Sequence, residues 1–584
     1  MVKRSVVVLG INDGHDSGAA LVKDGAVVAA VHEERLNNIK HYVGIPQKSI
    51  AEVFKIAQMH PMNVSLIALV SYDPPGAENP RSLSTRALTR LSPLLHSDTY
   101  IKLYSRYKKS NRNLKVLKKV LDDLGLRNIE TTIIEHQLAH ASAAYRSSPW
   151  GYNLTNTNGN DSDGEILILT ADGAGDALSS TISIGRRGNL ERIAFSSYYD
   201  SLGNAFYTEI TRLLGLKPWD HESKVMGLAP YGKADSCIEN MKKIICVDSS
   251  NPLRFKNTIG GIGSSLQPKL RKLLVNQRFD NIAAAAQQHL EDIVKRWVQN
   301  AVTFTGIKKI ACAGGIFLNV KLNKLLRELP TIDEISFYPA PDDEGTPVGA
   351  ALQGYYEYCL REGLQPQHNP IADTYYGPSY NDEQVKETLA SKGVNGHLDY
   401  HYCKDIEGNT ADLILKGKIV GRCSGGAEWG PRALGNRSII ADPRKTEVIH
   451  KINFAIKQRD FWMPFAPSIL EERKEDYLID PAFAPYMIMA FDSTLGKEGC
   501  CKIPATVHPY DKTCRPQTVR REWNPKYYKI IKAFEDVTGV GAVLNTSFNL
   551  HGYPMVGTPS MALWTLENSK LDAIALGNYL VSKH

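Results

Sequence analysis

Two distant stretches of the chain repeat one pattern, and that repetition constrains the fold more than any other feature. Residues 5–31, SVVVLGINDGHDSGAALVKDGAVVAAV, run strand, polar glycine-bearing turn, strand, turn, strand. Residues 165–195, EILILTADGAGDALSSTISIGRRGNLERIAF, do the same, with an apolar strand ending at Asp172-Gly173. Two such hairpin units predict a duplicated domain with two similar lobes. Glycines and short polar residues at strand–turn joints also let backbone N–H groups approach phosphate oxygens.

A third element joins them. KKIACAGGIFLNVKLNKLLREL reads as a short strand, then Gly314-Gly315, then an amphipathic helix carrying Leu322, Leu325 and Leu326. Glycine at such a joint permits close approach of a nucleotide, whose phosphates a helix N-terminus favours. Upstream, NIAAAAQQHLEDIVKRWVQNAV has the spacing of an amphipathic scaffold helix. After a helix beginning near Thr346, REGLQPQHNPIADTYYGPSYND is rich in proline, glycine and polar residues and reads as a linker. At 584 residues the chain is too long for one core. The expected domains are therefore 1–367 and 368–584, the second an α/β domain with strands in GKIVGRCSG and AVLNTS.

Composition excludes some classes. With 43% hydrophobic and 22% charged residues, and no apolar run long enough to span a bilayer, no membrane partner is expected. The opening MVKRSVVVLGIND breaks at Asn-Asp-Gly too soon for a signal peptide and reads as a first strand, so a cytoplasmic protein is expected. Nine scattered cysteines without a C-x-x-C pair, Cys500 and Cys501 being adjacent, fit reduced thiols. The net charge is +7, and much of the excess lies at 80–120, in Lys102, Arg106, Lys108, Lys109, Arg112, Lys115, Lys118 and Lys119. That run reads as a solvated helical face; with no aromatic RNA-binding motif beside it, a nucleic-acid partner is not expected.

Candidate chemistry sits in both parts. HQLAHASAAY places His136 and His140 four apart in a helix-favouring run, on one face, the way paired histidines grip a divalent ion. Asp172 in LTADGAG and Asp343 in APDDEGTPVGAAL are carboxylates that complete such a set, although Asp342 and Glu344 flank Asp343 and local sequence leaves the choice open. NDGHDSG puts Asp13, His15 and Asp16 in the first turn, either as acid/base groups or as turn caps. Lys224 and Gly227 in SKVMGLAPYG read as nucleotide contacts or as plain surface. In the last third, Arg432 and Arg437 (GPRALGNRS), Lys457 and Arg459 (AIKQRDFWMPFAPS), Arg515 (RPQTV), and Asn545, Ser547 and Asn549 (LNTSFN) lie among glycine and apolar residues. Cations there, with short hydroxyl and amide groups at a strand end, suit a phosphate or nucleotide.

Taken in order, GINDGHDSGAAL, HEER, HQLAHASAAY, LTADGAG, KVMGLAPYG, GGIFLN, GPRALGNRS, MPFAPS, RPQTV and LNTSFN closely resemble the O-carbamoyltransferase family, over essentially the whole chain. That family includes enzymes of nodulation-factor, cephamycin and tobramycin biosynthesis. The resemblance implies an actin/hexokinase-like (ASKHA) first domain and a YrdC-like second. The second would activate carbamoyl phosphate with ATP and magnesium, giving carbamoyl-adenylate and pyrophosphate. The first would transfer the carbamoyl group to a hydroxyl of a small-molecule acceptor at a metal, iron(II) or another divalent transition ion. By motif, the resemblance makes His136, His140, Asp172 and Asp343 the metal ligands. It places Gly314, Gly315 and Asn319 in the adenylate pocket, and His15 with Asp13 at the acceptor hydroxyl. It assigns Arg432, Lys457, Arg459, Arg515, Asn545 and Ser547 to carbamoyl phosphate and ATP. The turn between Asn12 and His15 is shorter than in some members. The competing reading is a tRNA threonylcarbamoylation-type enzyme using bicarbonate and threonine; the GPRALGNRS and MPFAPS runs argue against it.

Overall fold

The structure is a computed structural model that describes residues 5–71, 114–150, 164–391, 398–457, 459–494 and 502–583. Lys102, Arg106, Lys108, Lys109, Arg112, Cys500 and Cys501 lie outside the described residues. Of the basic run, Lys115, Lys118 and Lys119 are exposed on the helix Lys115–Asp123, which turns Leu117 and Leu121 inward. No two of the described cysteines form a disulfide. No helix among the described residues is long and apolar enough to cross a membrane.

The chain divides into two compact units, Met1–His32 with Tyr42–Ile371, and Glu33–His41 with Ala372–His584. The sequence reading ran the first domain unbroken through 33–41. That short segment groups instead with the second unit, where the Arg35 guanidinium donates to the Gly430 carbonyl at 3.0 Å.

The first unit is built from two sheets of like plan. In one, β1 (Val7–Asn12), β2 (Gly18–Lys23) and β3 (Ala26–His32) form an antiparallel meander; β4 (Leu66–Val70) and β5 (Thr131–Ile134) add parallel strands on the other side of β1. In the other, β6 (Ile166–Gly175), β7 (Leu178–Arg186) and β8 (Asn189–Ser197) are the meander. A two-stranded ribbon follows, β9 (Ile245–Val247) with β10 (Phe255–Asn257). Then β11 (Lys309–Ala313) and β12 (Glu334–Phe337) run parallel beside β6. The orders β3-β2-β1-β4-β5 and β8-β7-β6-β11-β12 are the same path traced twice. The two repeated stretches of sequence are these two meanders. Strands β1 and β4 are buried along their whole length and β11 from Ile310 to Ala313, as strands covered on both faces must be.

Small residues set how closely the layers approach. The helix Thr346–Arg361 packs on β1 and β4 and against the helix His136–Arg146. A Cβ at Gly349 would stand 1.9 Å from the Ala139 carbonyl oxygen, and one at Gly10 would stand 1.9 Å from that of Pro347. No larger residue fits either contact. The scaffold helix read from the sequence is Phe279–Thr305; it buries Trp297, whose indole N–H donates to the Leu253 carbonyl at 2.9 Å, and Gly306 caps it with left-handed backbone.

The second unit centres on a mixed sheet. Its strands are β13 (Leu398–Tyr402), β14 (Val420–Cys423), β15 (Arg437–Ala441), β16 (Ala466–Leu470), β19 (Gln517–Val519), β20 (Ala542–Ser547), β21 (Ala573–Leu576) and β22 (Tyr579–Lys583). A separate pair is β17 (Phe491–Asp492) with β18 (Thr513–Cys514). The sheet order is β13-β22-β21-β14-β15-β20-β16-β19. Val385, Leu389, Ile439, Leu544, Phe548 and Ile574 form its core. Strand β20 carries Asn545 and Ser547, and β15 opens at Arg437.

Candidate active site

The helix His136–Arg146 is fixed at its start. Glu135 is its N-cap, and its carboxylate accepts from the Gln137 and Leu138 N–H groups at 2.9 and 3.0 Å. Asp176 accepts from the His136 N–H at 2.8 Å and from the Ser71 hydroxyl, also at 2.8 Å. Asp176 and Ala177 both carry left-handed backbone, φ 50° and 70°, in the turn joining β6 to β7. The histidine helix is therefore registered against the second hairpin.

That registry brings four side chains together. His136 Nε2 lies 3.0 Å from Asp172 Oδ2 and 3.2 Å from Asp343 Oδ1. His140 Nε2 lies 3.7 and 3.4 Å from the same two oxygens and 3.2 Å from His136 Nε2. All four ligand atoms fall within 4.8 Å of one another. One proton cannot serve two imidazole nitrogens and two carboxylates, and Asp343 Oδ1 is buried without a hydrogen bond. Two neutral imidazoles and two carboxylates suit a divalent transition ion, so the residues fit the metal that the resemblance implies. Burial works to lower the proton affinity of both histidines, but the carboxylates of Asp343 and Asp172 outweigh it and hold both above the ordinary range. Burial likewise works to raise Asp172 and Asp343, and the histidines hold them below it.

The choice among the three acidic neighbours is made by the turn at Asp342. Its carboxylate accepts from the Asp343 N–H at 3.0 Å, while the Asp343 side chain enters the cluster. Burial, with Asp343 and Asp172 nearby, pushes Asp342 up to about 7. Gly315 N–H donates to Asp172 Oδ1 at 3.3 Å, and a Cβ there would stand 2.8 Å from Asp342 Oδ1. Gly314, at φ 103°, lets β11 turn tightly under β6, with its N–H on the Pro341 carbonyl at 2.6 Å. The glycine pair thus adjoins the carboxylates.

Gly175 is a further requirement that the motif reading passed over. A Cβ at this position would lie 2.1 Å from Cγ of His136. Gly175→Ala must push the ring aside; overpacking of this kind costs about 1–3 kcal/mol. Taken from metal affinity, that is a loss of about ten- to a hundredfold, to be read by titrating cobalt(II) into the variant and following its absorption.

In the first hairpin, Asn12 closes the turn: it accepts from the Gly14 N–H at 2.9 Å and donates to the carbonyls of His15, at 2.7 Å, and Asp343, at 3.4 Å. His15 Nδ1 lies 2.8 Å from Asp16 Oδ2. The carboxylate at its ring is Asp16; Asp13, expected with His15 at the acceptor hydroxyl, is itself buried. Burial works to lower the proton affinity of His15, yet Asp16, Asp343 and Asp342 together raise it to about 10.

Three further candidates have structural surroundings of their own. Asn319, read as an adenylate contact, is the N-cap of the helix Val320–Arg327; it accepts from the Leu322 N–H at 3.1 Å, and its amide pairs with that of Gln287 at 2.9 and 3.0 Å. Lys224 and Gly227, read as nucleotide contacts or as plain surface, lie on the helix Glu222–Leu228, which packs on the long scaffold helix.

The second unit gathers cations. Lys457 ends the π-helical turn Asn453–Lys457 and is 3% exposed. Its ammonium donates to the Ser547 hydroxyl at 3.0 Å, to the Ser547 carbonyl, to the Asn549 carbonyl at 3.1 Å and to the Asn549 side-chain oxygen. The Ser547 hydroxyl in turn donates to the Asn549 side chain at 2.6 Å. Arg459 and Arg515 are half-buried. Among the described residues no carboxylate pairs with Lys457, Arg459 or Arg515, and nothing accepts a hydrogen bond from Arg515. Burial and then neighbouring cations depress all three: Arg459 and Lys40 act on Lys457, Arg432 on Arg459, which falls to about 10, and Arg432 and Arg459 on Arg515. Arg432, Lys457, Arg459 and Arg515 therefore form one cluster of like charge.

Arg437 and Asn545, both expected at the phosphate or nucleotide, also bind the frame of this site. The Arg437 guanidinium is taken up by the carbonyls of Ser424, Gly425, Asn436 and Pro378 at 2.7–3.4 Å. The Asn545 amide donates to the Ala433 carbonyl at 3.0 Å and the Ser468 hydroxyl at 2.9 Å, tying β20 to the loop that bears Arg432.

Comparison with known proteins decides the family. A model described as carbamoyltransferase N-terminus matches residues 7–352, and one described as carbamoyltransferase C-terminus matches 411–583. The chain belongs to the carbamoyltransferase family. This carbamoyltransferase is 32% identical to nodulation protein NolNO of Sinorhizobium fredii (strain NBRC 101917 / NGR234), over 97% of its own length and 79% of that protein. It is 34% identical to nodulation protein NolO of Bradyrhizobium diazoefficiens, over 72% of its own length and 76% of that protein. Among solved structures it is similar to full-length HypF in its phosphate- and nucleotide-bound form, with 14% identity, a TM-score of 0.29, and coverage of 62% of this chain and 57% of that one. As a carbamoyltransferase the protein takes a carbamoyl donor and an acceptor.

Proposed function

We propose that this carbamoyltransferase draws its carbamoyl group from carbamoyl phosphate with ATP and passes it to a hydroxyl of a small-molecule acceptor. The observation that carries the reading is the cluster of Arg432, Lys457, Arg459 and Arg515, three of whose members have no carboxylate partner among the described residues. Like charges packed together and partly desolvated are stabilised when an anion enters, and two phosphorylated substrates supply one. On this reading residues 368–584 form the YrdC-like activating domain and 1–367 the ASKHA-like transfer domain. Both phosphorylated substrates are cytoplasmic metabolites, which sets the enzyme in the cytoplasm.

In the activating step, water cleaves carbamoyl phosphate to carbamate and inorganic phosphate. A carbamate oxygen attacks the α-phosphorus of ATP, held as its magnesium complex, and the bond to the β-phosphate breaks, releasing pyrophosphate. Arg432, Arg459 and Arg515 bind the phosphate oxygens, and Lys457, set by Ser547 and Asn549, balances charge that develops on the leaving group.

In the transfer step the acceptor oxygen bonds to the carbamoyl carbon, the bond to the adenylate oxygen breaks, and AMP departs. His136, His140, Asp172 and Asp343 would hold the divalent ion, iron(II) or a relative, which supplies Lewis-acid polarisation when bound. The acceptor proton passes to the His15–Asp16 pair, whose carboxylate takes it while His15 stays protonated and keeps it in place.

The test needs no acceptor. Purified protein with ATP, magnesium and carbamoyl phosphate is expected to release pyrophosphate and AMP only when carbamoyl phosphate is present. ADP instead would identify a phosphotransferase and overturn the reading. Turnover only with bicarbonate and threonine would favour the threonylcarbamoylation alternative.

A further inference from the structure

Glu428 is the one acidic side chain in the stretch GGAEWGPRALGNRS, and it is 2% exposed. One of its oxygens, Oε1, accepts from three main-chain N–H groups: Leu434 at 2.8 Å, Asn436 at 2.7 Å and Arg437 at 3.1 Å. The chain therefore leaves Glu428, makes a closed loop through Arg432, and returns to the same carboxylate. Gly430 and Gly435, at φ 104° and 113°, give the loop its two reversals. A Cβ at Gly435 would stand 2.3 Å from the Tyr527 ring, so the return has a single path. Three arginines brace the loop through its carbonyls and the Asn436 side chain. Arg437 takes carbonyls, Arg422 donates to the Gly435 carbonyl at 2.7 Å and Asn436 Oδ1 at 2.6 Å, and Arg35 donates to Gly430. Arg432, at the loop's far side, is the member whose charge acts on Arg459 and Arg515.

We infer that Glu428 is a positioning residue for the donor site: its carboxylate folds residues 429–437 around itself and so fixes Arg432 where it completes the anion-binding cluster. This rests on the donor reading above. A carboxylate suits the task because three N–H groups share one oxygen, which full negative charge strengthens and a neutral amide does not. The other oxygen, Oε2, is buried without a hydrogen bond, so an amide nitrogen put there by Glu428→Gln gains no partner to offset the loss.

The experiment measures inorganic pyrophosphate binding by calorimetry, with steady-state kinetics in carbamoyl phosphate, on the full chain. Glu428→Gln is expected to weaken pyrophosphate binding by about tenfold or more and to raise KM for carbamoyl phosphate more than it lowers kcat. Its metal content at the histidine cluster should stay that of the wild type. Val543→Ala, a core cavity in β20, serves as the control for lost stability. Equal binding by wild type and Glu428→Gln overturns the inference and leaves the donor reading standing. So does a Val543→Ala variant of matched Tm that binds pyrophosphate as weakly as Glu428→Gln, since the effect is then structural. A wild type that binds no pyrophosphate overturns the donor reading, and this inference with it.

Discussion

Alanine at His140 is expected to empty the metal cluster and to cut carbamoyl transfer by about a thousandfold, the worth of several kcal/mol of Lewis-acid stabilisation. Release of pyrophosphate from ATP and carbamoyl phosphate should continue at the wild-type rate. The separation follows from where the groups sit: His140 belongs to the first unit, and the cation cluster lies wholly within the second. His140 is 1% exposed and meets three other ligand atoms, so no outside group replaces it. The measurements are metal content by mass spectrometry, transfer by mass gain on the acceptor, and pyrophosphate release. Chelator-treated wild type should behave like the variant and recover when iron(II) or cobalt(II) is restored. If transfer survives with the cluster empty, the four residues are a buried ionic network and the metal-assisted step is wrong.

Methionine at Arg515 is expected to abolish pyrophosphate release while making the ligand-free protein more stable. Both effects have one cause. The arginine is half-buried beside Arg432 and Arg459, and no described residue accepts a hydrogen bond from it. Methionine of similar length removes repulsion and desolvation together and leaves no buried acceptor orphaned, a change that often stabilises by about 1–4 kcal/mol at buried charged sites. This site is half-exposed, so the lower end applies. Lys457 would not give the same result, because its removal strands the acceptors on Ser547 and Asn549. Thermal denaturation with and without pyrophosphate reads both signs. The variant should melt higher alone, whereas the anion should stabilise only the wild type. A variant that melts lower alone would mean that Arg515 is already compensated, and would remove the ground for an anion site there.

What was legible in the sequence follows the range of the forces involved. His136 and His140 are found because helical spacing is local and puts both on one face. The duplicated meanders are found because each hairpin carries its own period and turn residues. Asp343 could not be separated from Asp342 and Glu344, because the choice rests on which carboxylate caps the next N–H, a matter of one backbone angle. Arg437 shows a different limit. An arginine among glycines looks the same whether it meets a phosphate or four main-chain carbonyls, and only the path of the loop distinguishes them. Asn319 did carry a signal, since an asparagine just before Val320 is an ordinary helix cap. Asp176 and Glu428 were overlooked although each is a lone acid in a turn of small residues, the setting in which a carboxylate gathers backbone N–H groups.

The two like sheets bear on how the proposed chemistry is divided. Strands β1 and β6 hold the same central place, and each has an Asp-Gly pair towards its end: Asp13-Gly14 just past β1 and before His15, Asp172-Gly173 in the irregular last part of β6 and before Gly175. A symmetric pair of half-length chains would show one such end twice, bound, on the reading proposed above, to a single compromise between carrying a proton and holding an ion. A single chain lets the two copies differ. One carries His15 past its strand, and in the other Gly175, without a side chain, leaves room for His136 from a neighbouring helix. On that reading the asymmetry is a division of labour that no strictly symmetric dimer could reach.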